Sequence, residues 1–151
     1  MKKIVISTEE KILLASYEIF LLFGYHGTTL HKIAMKAGVN KSAVHYYFRS
    51  KERLYAEVVK KVFGNIFNKR VHDSGNQIRL KIQIWFMLTE LYNNKDLFER
   101  TLKEIYPDDW NKKLTKLKKW LDFKDNPYYN VLDLWQNVVI TSDKSILAKS
   151  R

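Results

Sequence analysis

Between Thr28 and Lys51 the chain reads TTLHKIAMKAGVNKSAVHYYFRSK, and its spacing leaves the backbone little choice. Leu30, Ile33, Ala34 and Ala37 recur at i, i+3, i+4 and i+7, which draws one apolar stripe along a short helix. Gly38 ends that helix, because glycine takes the left-handed conformation that lets a chain leave a helix sharply. Asn40 is placed to cap the next helix through its side-chain oxygen. Two short helices joined by a tight glycine turn form a helix-turn-helix unit.

The second helix, Lys41 to about Phe48, buries Val44 and Phe48 and leaves Lys41, Ser42, Ala43, His45 and Tyr46 on or near its outward side. Two rings, an imidazole, a hydroxyl and an ammonium exceed what solvation asks of a surface. They suit a DNA groove, where lysine and tyrosine meet phosphate and an apolar edge meets a thymine methyl. Ser50 then caps a third helix whose first turn holds Lys51, Glu52 and Arg53, so backbone N–H groups and an ammonium converge where a phosphate fits.

With IFLLFGYHGTTL at 19–30, HKIAMKAGVNKSAV at 31–44 and HYYFRSKERLY at 45–55, residues 9 to about 60 resemble the DNA-binding domain of TetR-family (tetracycline-repressor-like) transcriptional regulators. The resemblance implies DNA contacts from the threonine opening the second helix (Thr28 or Thr29), from Asn40, Lys41, Ser42 and Ala43 around the turn, from His45, Tyr46 and Tyr47, and from Lys51. Among these, Lys41, Tyr47 and Lys51 are expected to hold phosphates, Ser42, Ala43 and Tyr46 to approach base edges, and Thr29 to fix the entering helix. His45 departs from the tyrosine commoner at its position.

Charge agrees with a polyanionic partner. The formal net charge is +11, and residues 28–53 hold Lys32, Lys36, Lys41, Arg49, Lys51 and Arg53 against Glu52 alone. A hydrophobic content of 46% excludes a disordered chain, and zero cysteines exclude a disulfide framework or thiolate zinc site. The opening MKKIVIST is too short for a signal sequence, and no apolar run reaches the roughly 18 residues of a membrane span. The expected location is cytoplasmic.

In chain order, Ser7 and Glu10 form a capping box for a first helix. Its apolar positions Ile12, Ile19, Phe20 and Phe23, with Ser16 among them, repeat helically to Gly24, and Tyr25 plugs the three-helix core. The helix opened by Ser50 runs long, with Gly64 a candidate bend or early end, and Asp73–Asn76 breaks the pattern. Residues from Gln77 to Tyr92 are apolar nearly all round, which favours a buried helix over a strand. A shorter helix ends before Pro107, a lysine-rich helix follows from Trp110 to Leu121, and a last one opens after Pro127. The expected fold is all-α: a three-helix reader at 1–55, a linking helix and connection at 56–75, and a helical effector-binding and dimerisation body at 76–151, either reduced or without the pair of long closing helices that the resemblance implies.

No enzyme constellation is present. His26, His31, His45 and His72 form no HExxH or ligand pair, Asp108 and Asp109 read as helix-start residues, and no phosphate-cradling glycine loop occurs; no metal or cofactor is expected. The resemblance implies a small-molecule pocket in the body, with Trp85, Phe86, Leu88, Tyr92, Trp110, Leu117 and Trp120 as candidate walls and nothing buried and charged among them. Val131, Leu134, Trp135 and Val138 follow an a/d-like spacing that fits a second copy of the chain. The reading is therefore a DNA-binding transcriptional regulator, a homodimeric repressor on a palindromic operator released by an effector. The alternatives are a ligand- or protein-binding adaptor that keeps the helix-turn-helix shape without reading DNA, and a cationic protein docking on anionic lipid through Lys112 to Lys119.

Overall fold

Seven α-helices carry the computed structural model, which describes residues 3–67 and 77–121: α1 Thr8–Gly27, α2 Leu30–Ala37, α3 Lys41–Phe48, α4 Lys51–Ile66, α5 Gln77–Asn93, α6 Lys95–Ile105 and α7 Trp110–Leu121. No strand occurs among the described residues, so the alternation in IRLKIQIWFML yields to a helix, α5. The expected breaker at Asp73–Asn76, the helix after Pro127 and the stripe Val131, Leu134, Trp135 and Val138 lie outside the described residues. Met1–Asp108 makes one compact unit and Asp109–Arg151 a second.

The local chemistry of α1 follows its sequence. Ser7 Oγ accepts the Glu10 N–H at 3.2 Å and Glu10 Oε2 accepts the Ser7 N–H at 3.0 Å, which satisfies two of the donors a helix start leaves open. Ile12, Ala15, Ser16, Ile19 and Phe20 are buried on one face, and the Ser16 hydroxyl discharges its own donor onto the Ile12 carbonyl at 2.7 Å. The helix does not simply end at Gly24. Gly24 takes φ 68°, ψ −175°, and one further turn follows before Thr28 leaves the helix in extended backbone.

α2 ends as its glycine requires. Gly38 sits at φ 69°, ψ 35°; its N–H reaches the Met35 carbonyl at 3.2 Å and the Val39 N–H reaches Ala34 at 3.0 Å, the paired bonds of a Schellman motif. The cap of α3 differs from expectation: Asn40 supplies its backbone carbonyl to the Ala43 N–H at 3.0 Å, but its side chain makes no capping bond and is exposed. An exposed helix start can leave its remaining N–H groups to water, so the side chain is not needed there. Gly64 does not end α4, which continues to Ile66.

Around the reader, α1 packs on α2 and α4, and α3 bridges α2 and α4. The core reaches past that module. α5 packs on both α1 and α4, and α6 packs on α4 and α5, so Leu80, Ile84, Phe86, Met87, Phe98 and Leu102 are buried in the same unit as Ile12, Phe20, Leu54 and Val59. In the second unit α7 buries Leu114 and Leu117 and exposes Lys112, Lys116, Lys118 and Lys119.

Candidate nucleic-acid interface

The outward face of α3 is built by what its inward face buries. Val44 and Phe48, one turn apart, are 1% and 6% exposed, and each contributes roughly 1.5–3 kcal/mol to docking the helix. Lys41, Ser42, His45, Tyr46 and Tyr47 consequently face solvent, with Tyr46 at 73% exposure, while Ala43 is half-buried. The Tyr46 and Tyr47 rings meet edge to face at 5.1 Å, so the exposed aromatic surface is a preformed pair.

A γ-turn carries the chain from α3 into α4. Arg49 adopts φ 66°, ψ −44°, and the Ser50 N–H donates to the Phe48 carbonyl at 2.7 Å across it. Ser50 then caps α4 by accepting the Arg53 N–H at 3.2 Å, which brings the first turn of α4 directly after the exposed end of α3. Such a positive φ at a non-glycine residue stores of order 1–3 kcal/mol, supported here by the caps on either side.

The two threonines at the start of α2 have different duties. Thr29 is exposed and caps α2 through the Lys32 N–H at 3.1 Å. Thr28 is fully buried, its hydroxyl bonded to the Gly24 carbonyl at 2.7 Å and near the Ile19 carbonyl at 3.4 Å. This corrects the expectation for Thr28: a side chain spent on closing the α1 kink presents nothing to a ligand, and Thr29 is the threonine on the surface.

Lys51 is half-buried, with its ammonium 4.1 Å from the centre of the Tyr25 ring, a cation–π contact. Burial pulls the Lys51 ammonium below its ordinary pKa, partly offset by the carboxylates of Glu52 and Glu90. The Tyr25 hydroxyl donates to Glu52 at 2.7 Å. Burial first, then that bond and the adjacent negative charge, push the Tyr25 phenol up to about 12; the same bond, followed by contacts with its own backbone, holds the Glu52 carboxyl below the usual range. The signs differ. The Glu52 contribution is present above the ordinary carboxylate range and lost as pH falls through its depressed value; that of Tyr25 is full below about pH 10 and lost as pH rises through about 12. Tyr25→Phe is expected to return the Glu52 carboxyl toward its usual value in a side-chain NMR titration, and an unmoved curve would remove the phenol as the cause.

Sequence reasoning missed Glu90. It is fully buried on α5, where it accepts the Tyr25 N–H at 3.0 Å, the Tyr55 hydroxyl at 3.0 Å and the Asn94 side-chain amide at 2.7 Å. A buried carboxyl group therefore lies beside the reader, on a residue outside the candidate effector walls. The readable signal was an acid in phase with buried Leu80, Gln83 and Met87 on a mostly apolar helix.

The candidate effector walls do not share one environment. Phe86 is buried with its ring 6.2 Å from Tyr55, Leu117 is fully buried, Trp85, Leu88 and Trp110 are half-buried, and the Trp120 side chain lies outside the described set. Tyr92 is 76% exposed, which does not suit the wall of an enclosed pocket. A depression of about 380 Å³ on α7 is lined by Asn111, Lys112, Thr115, Lys116 and Lys119, none of them among those candidates. No helix of the described residues is long and apolar enough to cross a membrane.

Residues 12–58 match the family model described as "Bacterial regulatory proteins, tetR family". This segment is of the tetR type. Over 58 residues it is 47% identical to the HTH-type transcriptional regulator RutR of Escherichia coli (strain K12), an alignment covering 38% of this chain and 27% of RutR. Over 60 residues it is 35% identical to the biofilm operon icaADBC HTH-type negative transcriptional regulator IcaR of Staphylococcus aureus (strain Newman), covering 40% of this chain and 32% of IcaR. The chain thus spans about a quarter to a third of the length of these curated relatives. The crystal structure of HlyIIR, a hemolysin II transcriptional regulator, aligns at a TM-score of 0.38 and 23% identity, covering 95% of this chain and 90% of that one. The matched tetR-type segment contains α2, α3 and the kink at Gly24, and it stops inside α4, so α5 with Glu90 lies beyond it. The tetR family is a family of regulators and not of enzymes.

Proposed function

We propose that the chain binds double-stranded DNA, lays α3 in the major groove and represses transcription from a palindromic operator. One observation carries this reading: within a tetR-type domain, Lys41, Ser42, His45, Tyr46 and Tyr47 of α3 are exposed while Val44 and Phe48 are buried. Lys41, Tyr47 and Lys51 then hold phosphates, Ser42, Ala43 and Tyr46 approach base edges, Asn40 and His45 flank them, and Thr29 anchors α2.

Selection from random duplex DNA tests the reading, with enrichment of a two-fold sequence expected. Binding without enrichment, at a Kd no tighter than about 10⁻⁴ to 10⁻⁶ M at physiological salt, would return the chain to the adaptor class. On the enriched duplex, Lys41→Ala and Lys51→Ala are each expected to weaken binding to every sequence and to flatten the log–log salt dependence by about one unit. An unchanged slope takes that lysine out of the phosphate contacts.

The repressor assignment draws support from IcaR, a negative regulator sharing the reader segment. Two-fold operators call for two copies of the chain, with Val131, Leu134, Trp135 and Val138 proposed at the contact between them. Release is proposed to follow an effector that binds beside the half-buried Trp85 and Leu88 and prefers a body conformation with the wrong spacing of the two recognition helices.

A further inference from the structure

We infer that Glu90 is a positioning residue for DNA binding: reaching from α5, its carboxylate holds the Gly24–Tyr25 junction that sets the entry of α2 and carries the Lys51 ammonium. The inference rests on the DNA reading above and adds a residue that lies beyond the matched family segment.

Three observations converge on the junction. First, both oxygens of Glu90 are used: Oε1 accepts the Tyr25 N–H at 3.0 Å, while Oε2 takes the Tyr55 hydroxyl at 3.0 Å and the Asn94 amide at 2.7 Å. A leucine at this position would be cheaper to bury, yet it could hold neither the N–H nor the hydroxyl. Second, the backbone makes room for the carboxylate. A Cβ on Gly24 would lie 3.0 Å from Glu90 Oε1, and the φ of +68° there suits glycine.

Third, the junction leads directly to the exposed surface. The hydroxyl of Thr28 closes on the Gly24 carbonyl from the other side at 2.7 Å, Thr29 caps α2, and Lys32 Nζ donates to the Gly27 carbonyl at 2.7 Å. The Tyr25 ring bears the Lys51 ammonium at 4.1 Å and its hydroxyl binds Glu52 at 2.7 Å. Tyr25 is thus held by its backbone to α5 and by its phenol to α4. Releasing the first of these holds frees the start of α2 and the seat of Lys51 together, without touching any side chain proposed to meet DNA.

The test uses the full chain and the duplex enriched by selection, with fluorescence anisotropy for binding, circular dichroism for helix content and hydrogen exchange for the Tyr25 amide. Glu90→Gln keeps an acceptor for that amide and is expected to bind the enriched duplex within about threefold of the parent chain, with the amide still protected. Glu90→Ala is expected to weaken binding to the enriched duplex by about tenfold or more while binding a scrambled duplex nearly unchanged, and to lose protection at Tyr25. Should Glu90→Ala not fold, Glu90→Gln decides: retained specific binding with a protected amide supports the inference, and lost specificity overturns it. A folded Glu90→Ala chain that binds the enriched duplex as the parent does overturns the inference and leaves the DNA reading standing. A parent chain that enriches no duplex overturns both.

Discussion

Phe20→Ala is expected to cost the folded chain about 3–5 kcal/mol, read as a lower midpoint at unchanged slope in urea unfolding. Phe20 is fully buried, with its ring 6.5 Å from Tyr25 and 5.6 Å from Tyr55, and Tyr55 in turn sits 6.2 Å from Phe86. The cluster joins α1, the junction before α2, α4 and α5, so truncating the Phe20 ring leaves a void that no single helix can close by shifting. The loss should therefore appear as one cooperative transition seen alike by probes on the reader and on α5. A loss below about 1 kcal/mol, or separate transitions, would mean that the two regions do not share a core.

Gly24→Ala carries the next largest expected effect, about 2–4 kcal/mol. The backbone at φ 68°, ψ −175° lies where only glycine is comfortable, a penalty of order 1–3 kcal/mol, and the new Cβ meets Glu90 Oε1 at 3.0 Å. The carboxylate must then retreat from a fully buried position, which weakens its bond to the Tyr25 N–H. Gly38→Ala is the internal control. Gly38 has a similar φ of +69° but nothing within 4 Å of its added Cβ, so only the backbone cost of about 1–2 kcal/mol is expected. Equal losses at the two glycines would show that the space taken by Glu90 is immaterial to the kink.

Much of the reader is legible from short-range spacing. The Ser7–Glu10 box, the Thr29 and Ser50 caps, the Gly38 stop and the burial of Val44 and Phe48 all act within a few residues of the chain, and all are present. Asn40 shows the limit of such inference even locally. Its identity favours a side-chain cap, but an exposed helix start has water as a competing partner, and its side chain makes no such bond. Thr28 and Thr29 are chemically alike in the sequence, and only the path of the backbone after Gly24 turns one inward and the other out.

Residue order alone determined the helices of the reader, their stops and the polar face of α3, because hydrogen-bond caps and 3.6-residue stripes are set by neighbours a turn or so away. Tertiary structure decided which buried groups meet. Glu90 and Tyr25 stand 65 positions apart, and no periodicity connects them. Their pairing exists because α5 packs on both α1 and α4, where a buried carboxylate must find donors and finds them at the junction that leads into α2.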